Sequence, residues 1–343
     1  MNKQSQFKKN TSFYNLSELG LVQKIISRVG LVDKLYGGIG DDVAVLKYSS
    51  DKWLLLTCDC LVEDIHFKPD WFDFTLLGRK AANINLSDIA AVGGVPKYAL
   101  VSLGLPRSLK KNFIDDFYQG LTAEFSKVKV AIIGGNISSS AKIFLDIFLI
   151  GEIKPGLAVL RSKAKVGDFV LVTGSLGDAG LGLNIFKKGL GKDKRFKFLT
   201  KIFLSPRARL KEGQILARQR LASSMMDISD GLSGDTLKLC QASRVGVELW
   251  QDKLPISANL KTGRQLLNID PFKIALQGGE DYELLFTCNQ KNINKVKAIF
   301  QKEKCAKVSV IGHIKPLSFG KVVIDSRGRK SKLIDKSWDH FKK

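Results

Sequence analysis

Residues 38–46 read Gly38-Ile39-Gly40-Asp41-Asp42-Val43-Ala44-Val45-Leu46, in which a glycine turn and two adjacent carboxylates precede an apolar run. The alternation of that run predicts a β-strand. Adjacent like charges repel one another unless a cation or water relieves the repulsion, and Mg²⁺ is usually held by carboxylates together with substrate phosphates. Taken alone, the stretch favours an ordinary turn, because Asp and Gly are common turn residues. The same combination returns further along the chain, and that recurrence favours a metal site.

Three later segments repeat this combination of a strand end and a carboxylate. Asp59 follows the apolar run at 53–57, which predicts a buried strand. Asp227 and Asp230 lie three residues apart across a predicted strand-to-helix turn, so that both side chains can point to one site. Glu280 follows a Gly-Gly pair before another predicted strand.

A further carboxylate lies on a helix predicted over residues 76–92. Asp88 shares a helix face with Asn85, three residues away, and its other neighbours are apolar. An Asp in such surroundings is expected to face a partner or a metal ion rather than water. Together, the acidic clusters predict several Mg²⁺ ions that bridge carboxylates to a polyphosphate. They also predict phosphoryl transfer that rests on positioning and charge neutralisation.

Two glycine-containing segments are typical of phosphate-binding turns. The apolar run at 130–133 leads into Gly134-Gly135-Asn136, which predicts a turn whose backbone can approach a phosphate closely. The second segment, 174–182, has four glycines after a predicted strand but lacks the lysine of a Walker motif. For that segment, a phosphate loop and a set of helix-packing glycines are equally good interpretations.

The bulk composition bounds the class of protein. The chain has 343 residues, enough for two domains, and its alternating strand and helix patterns predict an α/β fold. The net charge of +22 favours phosphorylated small molecules, whereas nucleic acid is not expected as a partner because no basic run interleaves with aromatic residues. The five Cys residues form no CxxC pair, which favours a reducing cytoplasm over a disulfide framework. No apolar run is long enough to span a bilayer, so no membrane association is expected.

A series of motifs runs in order along nearly the whole chain. The motifs are GIGDDVAVL (38–46), TCDCLVEDIHF (57–67), NLSDIAAVGGVP (85–96), IIGGN (132–136), RSKAKVGD (161–168), VTGSLGDAGLG (172–182), MDISDGLSGD (226–235), GGEDYELLF (278–286) and WDHF (338–341). In number and order they resemble those of the thiamine-monophosphate kinases, a family in the superfamily that includes aminoimidazole ribonucleotide synthetase. NLSD followed by GG-x-P, then SDGL and GGEDYEL, distinguish this family from its relatives.

The resemblance implies an activity and an architecture. The activity would be transfer of the γ-phosphoryl group of ATP to thiamine monophosphate, in line and without a phospho-enzyme, with Mg²⁺ as cofactor. The fold would be α/β (α+β) with two domains, at residues 1–154 and 155–343. The N-terminal sheet would form a barrel-like interface in a homodimer, and the C-terminal domain would pack helices on a mixed sheet.

By motif, the resemblance also implies the residues of the site, with no covalent nucleophile among them. The Mg²⁺ ligands would be Asp42, Thr57, Cys58, Asp59, Asp88, Asp227 and Asp230. ATP would contact Gly135, Asn136, Arg161 and Ser229. Thiamine monophosphate would contact His66, Glu280 and Trp338, of which Trp338 is suited to stacking on a cationic ring.

The chain departs from the family pattern in two places. Asn136 stands where the family has an Asp that binds metal, so that one Mg²⁺ would bind more weakly or with a different geometry. Cys58 and Cys60 flank Asp59 where hydroxyl residues are usual. A thiol is a poor Mg²⁺ ligand, so any contact from Cys58 would come from its backbone carbonyl.

Three alternatives stay open at this point, of which nucleic-acid binding through the basic surface is the weakest. The first is another ATP-using enzyme of the superfamily, although a selenophosphate synthetase would need a reactive Cys before Cys58 and a hydrogenase maturation factor would need a C-terminal Cys. The second is a catalytically weakened nucleotide-binding paralogue, which Asn136 would favour.

Overall fold

The first half of the chain forms a six-stranded sheet on which helices pack. A computed structural model describes residues 18–29 and 35–341. The strands of the first sheet are β1 (Leu35–Gly37), β2 (Ala44–Lys47), β3 (Trp53–Val62), β4 (Val95–Leu105), β5 (Ala131–Ser139) and β6 (Phe144–Ile153). The helices of this half are α1 (Glu18–Val29), α2 (Phe74–Ala91) and α3 (Phe113–Lys127). The strand order is β1-β2-β3-β6-β4-β5, and only β4 and β5 pair in parallel.

The second half forms a seven-stranded mixed sheet. Its strands are β7 (Phe169–Thr173), β8 (Ser224–Asp227), β9 (Gly246–Trp250), β10 (Leu284–Cys288), β11 (Val308–Lys315), β12 (Lys321–Ile324) and β13 (Lys330–Lys332). Its helices are α4 (Asp178–Lys187), α5 (Lys197–Leu204), α6 (Leu210–Arg218), α7 (Leu232–Ser243), α8 (Ala258–Leu267), α9 (Pro271–Gln277) and α10 (Gln290–Lys302). The order is β13-β12-β9-β11-β7-β10-β8, with only β12 and β9 parallel. The α/β fold class with a mixed C-terminal sheet is thereby confirmed, whereas the domain boundary at residue 154 stays a prediction.

Helix α2 connects the two halves and confirms the helix predicted over residues 76–92. It packs on the first sheet and α3 on one side and on α6 and β8 on the other. Asp73 caps its first turn by accepting the backbone N–H of Thr75 at 2.7 Å. A Cβ atom on Gly120 of α3 would lie 1.8 Å from the carbonyl oxygen of Thr75, so only glycine allows α2 and α3 to approach this closely.

One face of the first sheet is apolar but remains uncovered within the described residues. On β4, Ala99 and Val101 point toward the helices and are buried, whereas Tyr98 and Leu100 alternate with them and are 46% and 36% exposed. Phe144 of β6 is 36% exposed. An apolar surface of this kind is typical of a protein interface.

The predicted turn at Gly134-Gly135-Asn136 is wrong. These residues lie inside β5, where they pair in parallel with Leu100, Val101 and Ser102 of β4. Glycine pairs usually mark turns, but the ladder with β4 keeps the backbone extended up to the pair between Ser139 and Leu105.

The glycines at 174–182 serve helix packing rather than a phosphate loop. A Cβ atom on Gly182 would lie 2.4 Å from the carbonyl oxygen of Leu199. Helix α5 can therefore pack on this face of α4 only because residue 182 has no side chain. The Asp281 carboxylate occupies the start of α4, where it accepts the backbone N–H groups of Gly177 at 2.7 Å and Ala179 at 3.3 Å. The protein's own carboxylate therefore takes the position that a phosphate would need.

Among the helices within residues 18–29 and 35–341, none has the length and apolar character needed to cross a membrane.

Candidate active site

Three carboxylates from separate parts of the chain meet where α2 lies between the two sheets. Asp42 lies in the turn before β2, Asp88 on the last turn of α2 and Asp227 at the end of β8. One oxygen of each lies within 4.8 Å of an oxygen of both others. The structure therefore brings together three of the residues that the sequence predicted, and they are called the Asp cluster below.

Hydroxyl groups orient two members of the Asp cluster. Thr57 Oγ1 on β3 donates to Asp88 Oδ2 at 2.5 Å, and Ser87 Oγ on α2 donates to Asp227 Oδ2 at 2.5 Å. Since Ser87 belongs to the N-terminal half and Asp227 to the C-terminal half, the second bond also joins the two halves. The role of Ser87 was not predicted, although it lies inside the NLSD motif.

Asp59 lies beside the cluster on the same face of β3 as Thr57. Its backbone N–H donates to Asn85 Oδ1 on α2 at 3.0 Å. Side chains alternate along a strand, so the thiol of Cys58, between Thr57 and Asp59, lies on the opposite face and is exposed. Of Cys58, only the backbone is available to a metal ion in the cluster.

Burial and mutual repulsion dominate the electrostatics of the cluster. Burial raises the pKa of Asp88 well above its ordinary value, and the charges of Asp59, Asp227 and Asp42 raise it further. Burial and then the charge of Asp42 raise the pKa of Asp227 in the same direction. A cation would relieve this repulsion, and the donors are all carboxylate or hydroxyl oxygens, which hard divalent ions prefer. The side chains therefore fit Mg²⁺.

Arg161 contacts the cluster directly. Its Nη2 donates to Asp42 Oδ1 at 2.6 Å and its Nε to Asp42 Oδ2 at 3.1 Å, a two-point pair typical of guanidinium and carboxylate. Its Nη1 donates to the carbonyl of Gly40 at 2.9 Å, and its backbone N–H donates to Asp41 Oδ1 at 2.9 Å. Arg161 therefore lies beside the glycine turn that contains Gly40 and Asp41.

Asp230 belongs to a second charged group next to the cluster. Lys238 Nζ donates to Asp230 Oδ2, and also to Asp235 Oδ1 at 3.0 Å. Asp235 Oδ2 accepts the backbone N–H groups of Asp230 at 3.2 Å and Gly231 at 3.1 Å, which fixes the loop before α7. Burial is the main cause that raises the pKa of Asp235 to about 6. The sequence did not predict a role for Asp235 or Lys238. The available signal was Asp235 itself, the acid that ends the motif MDISDGLSGD.

The C-terminal segment joins two residues predicted to bind substrate. Trp338 Nε1 donates to His340 Nε2 at 3.4 Å, and the rings of His340 and His66 lie 4.9 Å apart. His66 Nδ1 accepts the backbone N–H of Val62 at 3.0 Å, which places its proton on Nε2. Burial first, and then the neighbouring charges, lower the pKa of His66 to about 4. His340 was not predicted as a site residue, although it lies in the WDHF motif.

Glu280 lies on a loop tied to the loop before α7. Its backbone N–H donates to the carbonyl of Ser229 at 2.6 Å, so the residues predicted to bind substrate and ATP are adjacent. Its carboxylate accepts from Lys80 Nζ at 2.7 Å. Lys80 was not predicted, because a lysine in a helical pattern is usually solvated.

Gly135 and Asn136 lie on a different strand from the residues around the Asp cluster. Both are exposed on β5, the edge of the first sheet. In strand order β5 lies three strands from β3, which is about 14 Å at the usual strand spacing.

Two family models match the chain, and curated proteins resemble it over most of its length. Residues 40–153 match the family described as AIR synthase related protein, N-terminal domain, and residues 165–325 match its C-terminal domain. The chain is 40% identical over 273 residues to thiamine-monophosphate kinase of Aquifex aeolicus (strain VF5), covering 79% of this chain and 86% of that protein. It is 31% identical over 336 residues to thiamine-monophosphate kinase of Bacillus subtilis (strain 168), covering 95% and 100%.

Solved structures match the fold over almost the whole chain. A structure described as AaThiL complexed with AMPPCP and TMP aligns with a TM-score of 0.85 at 34% identity, covering 97% of this chain and 100% of that chain. The thiamine-monophosphate kinase from Stenotrophomonas maltophilia K279a aligns with a TM-score of 0.74 at 30% identity, covering 92% and 98%. The chain therefore belongs to the AIR synthase related family and, within it, to the thiamine-monophosphate kinases.

Proposed function

We propose that the chain binds ATP and thiamine monophosphate around the Asp cluster, with Mg²⁺ held by the cluster. As a thiamine-monophosphate kinase, the chain catalyses the ATP-dependent phosphorylation of thiamine monophosphate to thiamine diphosphate. The observation that carries this placement is the convergence of Asp42, Asp88 and Asp227, from both halves of the chain, within 4.8 Å. The description of AaThiL with AMPPCP and TMP supports the same pair of ligands here.

The metal ligands we propose are oxygen atoms around the cluster. They are the carboxylates of Asp42, Asp59, Asp88, Asp227 and Asp230, the hydroxyl of Thr57 and the backbone of Cys58. Bound Mg²⁺ would neutralise charge on the phosphate oxygens during transfer. Because Thr57 and Ser87 each hold a carboxylate of the cluster, the protein orients these ligands before the nucleotide arrives.

The nucleotide contacts we propose are Arg161 and Ser229, with Gly135 and Asn136 on β5. The guanidinium of Arg161 forms a two-point pair with Asp42, and the same planar fork is suited to phosphate oxygens. Ser229 lies directly before Asp230 in the loop that Asp235 fixes. Compared with the Asp of the family pattern, the side-chain amide of Asn136 keeps one oxygen but carries no negative charge.

The acceptor contacts we propose are His66, Glu280 and Trp338. Since the pKa of His66 is lowered to about 4, the ring is neutral at pH 7 and its Nε2–H is a hydrogen-bond donor. Trp338 is 48% exposed, which leaves its indole face available to stack on the cationic thiazolium ring. The carboxylate of Glu280 is suited to the amino group or the positive charge of the same substrate.

The reaction needs positioning more than covalent chemistry. An oxygen of the acceptor phosphate attacks the γ-phosphorus, and the bond from that phosphorus to the β–γ bridging oxygen breaks, which yields thiamine diphosphate and ADP. The acceptor phosphate is already ionised, so no side chain has to remove a proton from it. The protein contributes by orienting both phosphates and by placing cationic groups such as Arg161 beside them.

We also propose a homodimer and a cytoplasmic location. The uncovered apolar face of the first sheet, which includes Tyr98, Leu100 and Phe144, supports a barrel-like interface with a second copy. All five Cys residues are free thiols, which supports a reducing compartment.

A substrate comparison tests the proposed function. Purified protein is incubated with ATP and Mg²⁺ plus thiamine monophosphate, thiamine or the substrate of the aminoimidazole pathway, and the products are separated by chromatography. We expect thiamine diphosphate from the monophosphate alone. Product from another acceptor would favour a different ATP-using enzyme of the superfamily, and ATP binding without any product would favour the weakened paralogue that Asn136 suggests.

A further inference from the structure

Lys80 of α2 is a completely buried lysine with a specific set of partners. Its side chain has no exposed surface, and its Nζ donates to Glu280 Oε2 at 2.7 Å and to the carbonyl oxygen of Phe203 at 3.2 Å. The ring centroids of Phe203 and Phe72 lie 4.1 Å and 5.6 Å from Nζ. The ammonium group is therefore enclosed by one carboxylate, one carbonyl and two aromatic faces.

Such a lysine is costly unless its charge is compensated. Burying an ammonium group removes its hydration, and only a close anion with additional hydrogen bonds offsets that cost. Burial lowers the pKa of Lys80 below its ordinary value, and the neighbouring Glu280 carboxylate offsets part of that shift. Within the described residues, the carboxylate that pairs with Lys80 is that of Glu280 alone. The contact with Glu280 therefore offsets the cost of burying the Lys80 ammonium group.

The position of Lys80 on α2 relates this pair to the Asp cluster. Lys80 and Ser87 are seven residues apart, two helical turns, and so they lie on the same stripe of the helix. Ser87 donates to Asp227, and Lys80 donates to Glu280. One stripe of an N-terminal helix thus fixes two carboxylates of the C-terminal half, one proposed for metal and one for substrate.

The backbone of Glu280 needs such support. Its φ of 65° lies in the left-handed region, which residues other than glycine rarely adopt and which persists only when neighbouring contacts determine it. The bond from its N–H to Ser229 fixes the backbone, and the bond from Lys80 fixes the side chain.

We propose that Lys80 is a positioning residue that holds the Glu280 carboxylate ready for thiamine monophosphate. This inference rests on the proposed role of Glu280 in acceptor binding. Lys80 takes Oε2 and leaves Oε1 for a donor group of the substrate. The same ion pair fixes the direction in which the Glu280 carboxylate points. Lys80 itself does not contact substrate.

The test compares KM for the two substrates in Lys80→Met and in a matched control. Methionine fills the same space without charge or donors. The control, Arg209→Met, breaks a second buried ion pair, which lies wholly in the C-terminal half and in which Arg209 Nε donates to Glu283 Oε2 at 2.7 Å. We expect Lys80→Met to raise KM for thiamine monophosphate at least tenfold and to change KM for ATP less than twofold. Arg209→Met should lower thermal stability without this selective change in KM.

A double-variant cycle separates positioning from a general structural role. If Lys80 acts through Glu280, Lys80→Met should raise KM for thiamine monophosphate by less than twofold in a Glu280→Gln background. Equal and multiplicative effects in both backgrounds, or an unchanged KM in Lys80→Met, would overturn the proposal. If Lys80→Met does not fold, Lys80→Gln retains a shorter donor and is compared in the same cycle. Failure of the proposed function itself is distinguishable, because the unmodified protein would then form no thiamine diphosphate.

Discussion

Replacing Asp88 with asparagine should stabilise the metal-free protein while abolishing activity. At the 4.8 Å that bounds the separations in the Asp cluster, each pair of ionised carboxylates repels by about 3.5 kcal/mol at an effective dielectric constant of about 20. Protonation already relieves part of this repulsion, since burial and the neighbouring charges raise the pKa of Asp88. We therefore expect Asp88→Asn to raise the free energy of unfolding by about 1–3 kcal/mol near pH 7.5 without metal. An asparagine oxygen can still accept the hydrogen bond from Thr57.

The raised pKa of Asp88 also determines how the stability of the metal-free protein changes with pH. A carboxyl whose pKa is higher in the folded state than in the unfolded state binds more protons when folded, so stability falls as pH rises. The melting temperature of the metal-free protein should therefore increase as pH is lowered from 8 toward 6.5, above the range in which His66 contributes, and Asp88→Asn should flatten that slope. In domains of 150–250 residues, 1 kcal/mol corresponds to roughly 2–4 °C.

The assay is differential scanning fluorimetry in EDTA across this pH range, repeated with Mg²⁺ and ATP. The exposed Asp252, which forms an ion pair with the adjacent Lys253 at 3.2 Å, supplies the control Asp252→Asn, for which stability should stay within about 0.5 kcal/mol. Added Mg²⁺ and ATP should stabilise the unmodified protein more than Asp88→Asn. A lower melting temperature for metal-free Asp88→Asn, or an unchanged pH slope, would refute the reasoning.

Three further predictions concern the packing of α2 on α3, the His66 ring and the replacement of the family's Asp by Asn136. Gly78→Ala should cost roughly 3 kcal/mol, because the new Cβ would lie 2.0 Å from the carbonyl oxygen of Phe117, and a melting temperature equal to that of the unmodified protein would contradict this. His66 is held neutral when folded, with its pKa lowered to about 4, so stability should be lost as pH falls from 6.5 toward 4. His66→Gln should remove that part of the pH dependence when the free energy of unfolding is measured over a series of pH values. A pH profile identical to that of the unmodified protein would exclude His66 as its cause. Asn136→Asp should lower the Mg²⁺ concentration needed for half-maximal activity, and an unchanged metal dependence in steady-state assays would show that this position does not contribute to metal binding.

The members of the Asp cluster were predictable because each lies in a local pattern. Asp42 follows a glycine turn, Asp88 has apolar neighbours on a helix, and Asp227 ends a strand. Their convergence within 4.8 Å depends on α2 packing between two sheets, which is a long-range arrangement that local patterns do not encode. The family resemblance supplied that information.

The residues that sequence reasoning missed share a physical cause. Lys80 and Lys238 are lysines on helices, where the ordinary expectation is solvation, and only the folded chain shows that each pairs with a carboxylate near the site. The pair Gly134-Gly135 predicts a turn because glycine pairs usually break strands, but pairing with β4 keeps both residues in β5. In each case a tertiary contact outweighs the local preference.

Phosphorus-31 NMR of ATP, Mg²⁺ and thiamine monophosphate with the protein tests the central claim most directly, because it follows every phosphate at once. With the unmodified chain, signals of ADP and thiamine diphosphate should grow together in equal amounts. With folded Asp227→Asn, which removes one carboxylate of the Asp cluster, neither signal should appear. Inorganic phosphate in place of thiamine diphosphate, or undiminished transfer by Asp227→Asn, would contradict the account.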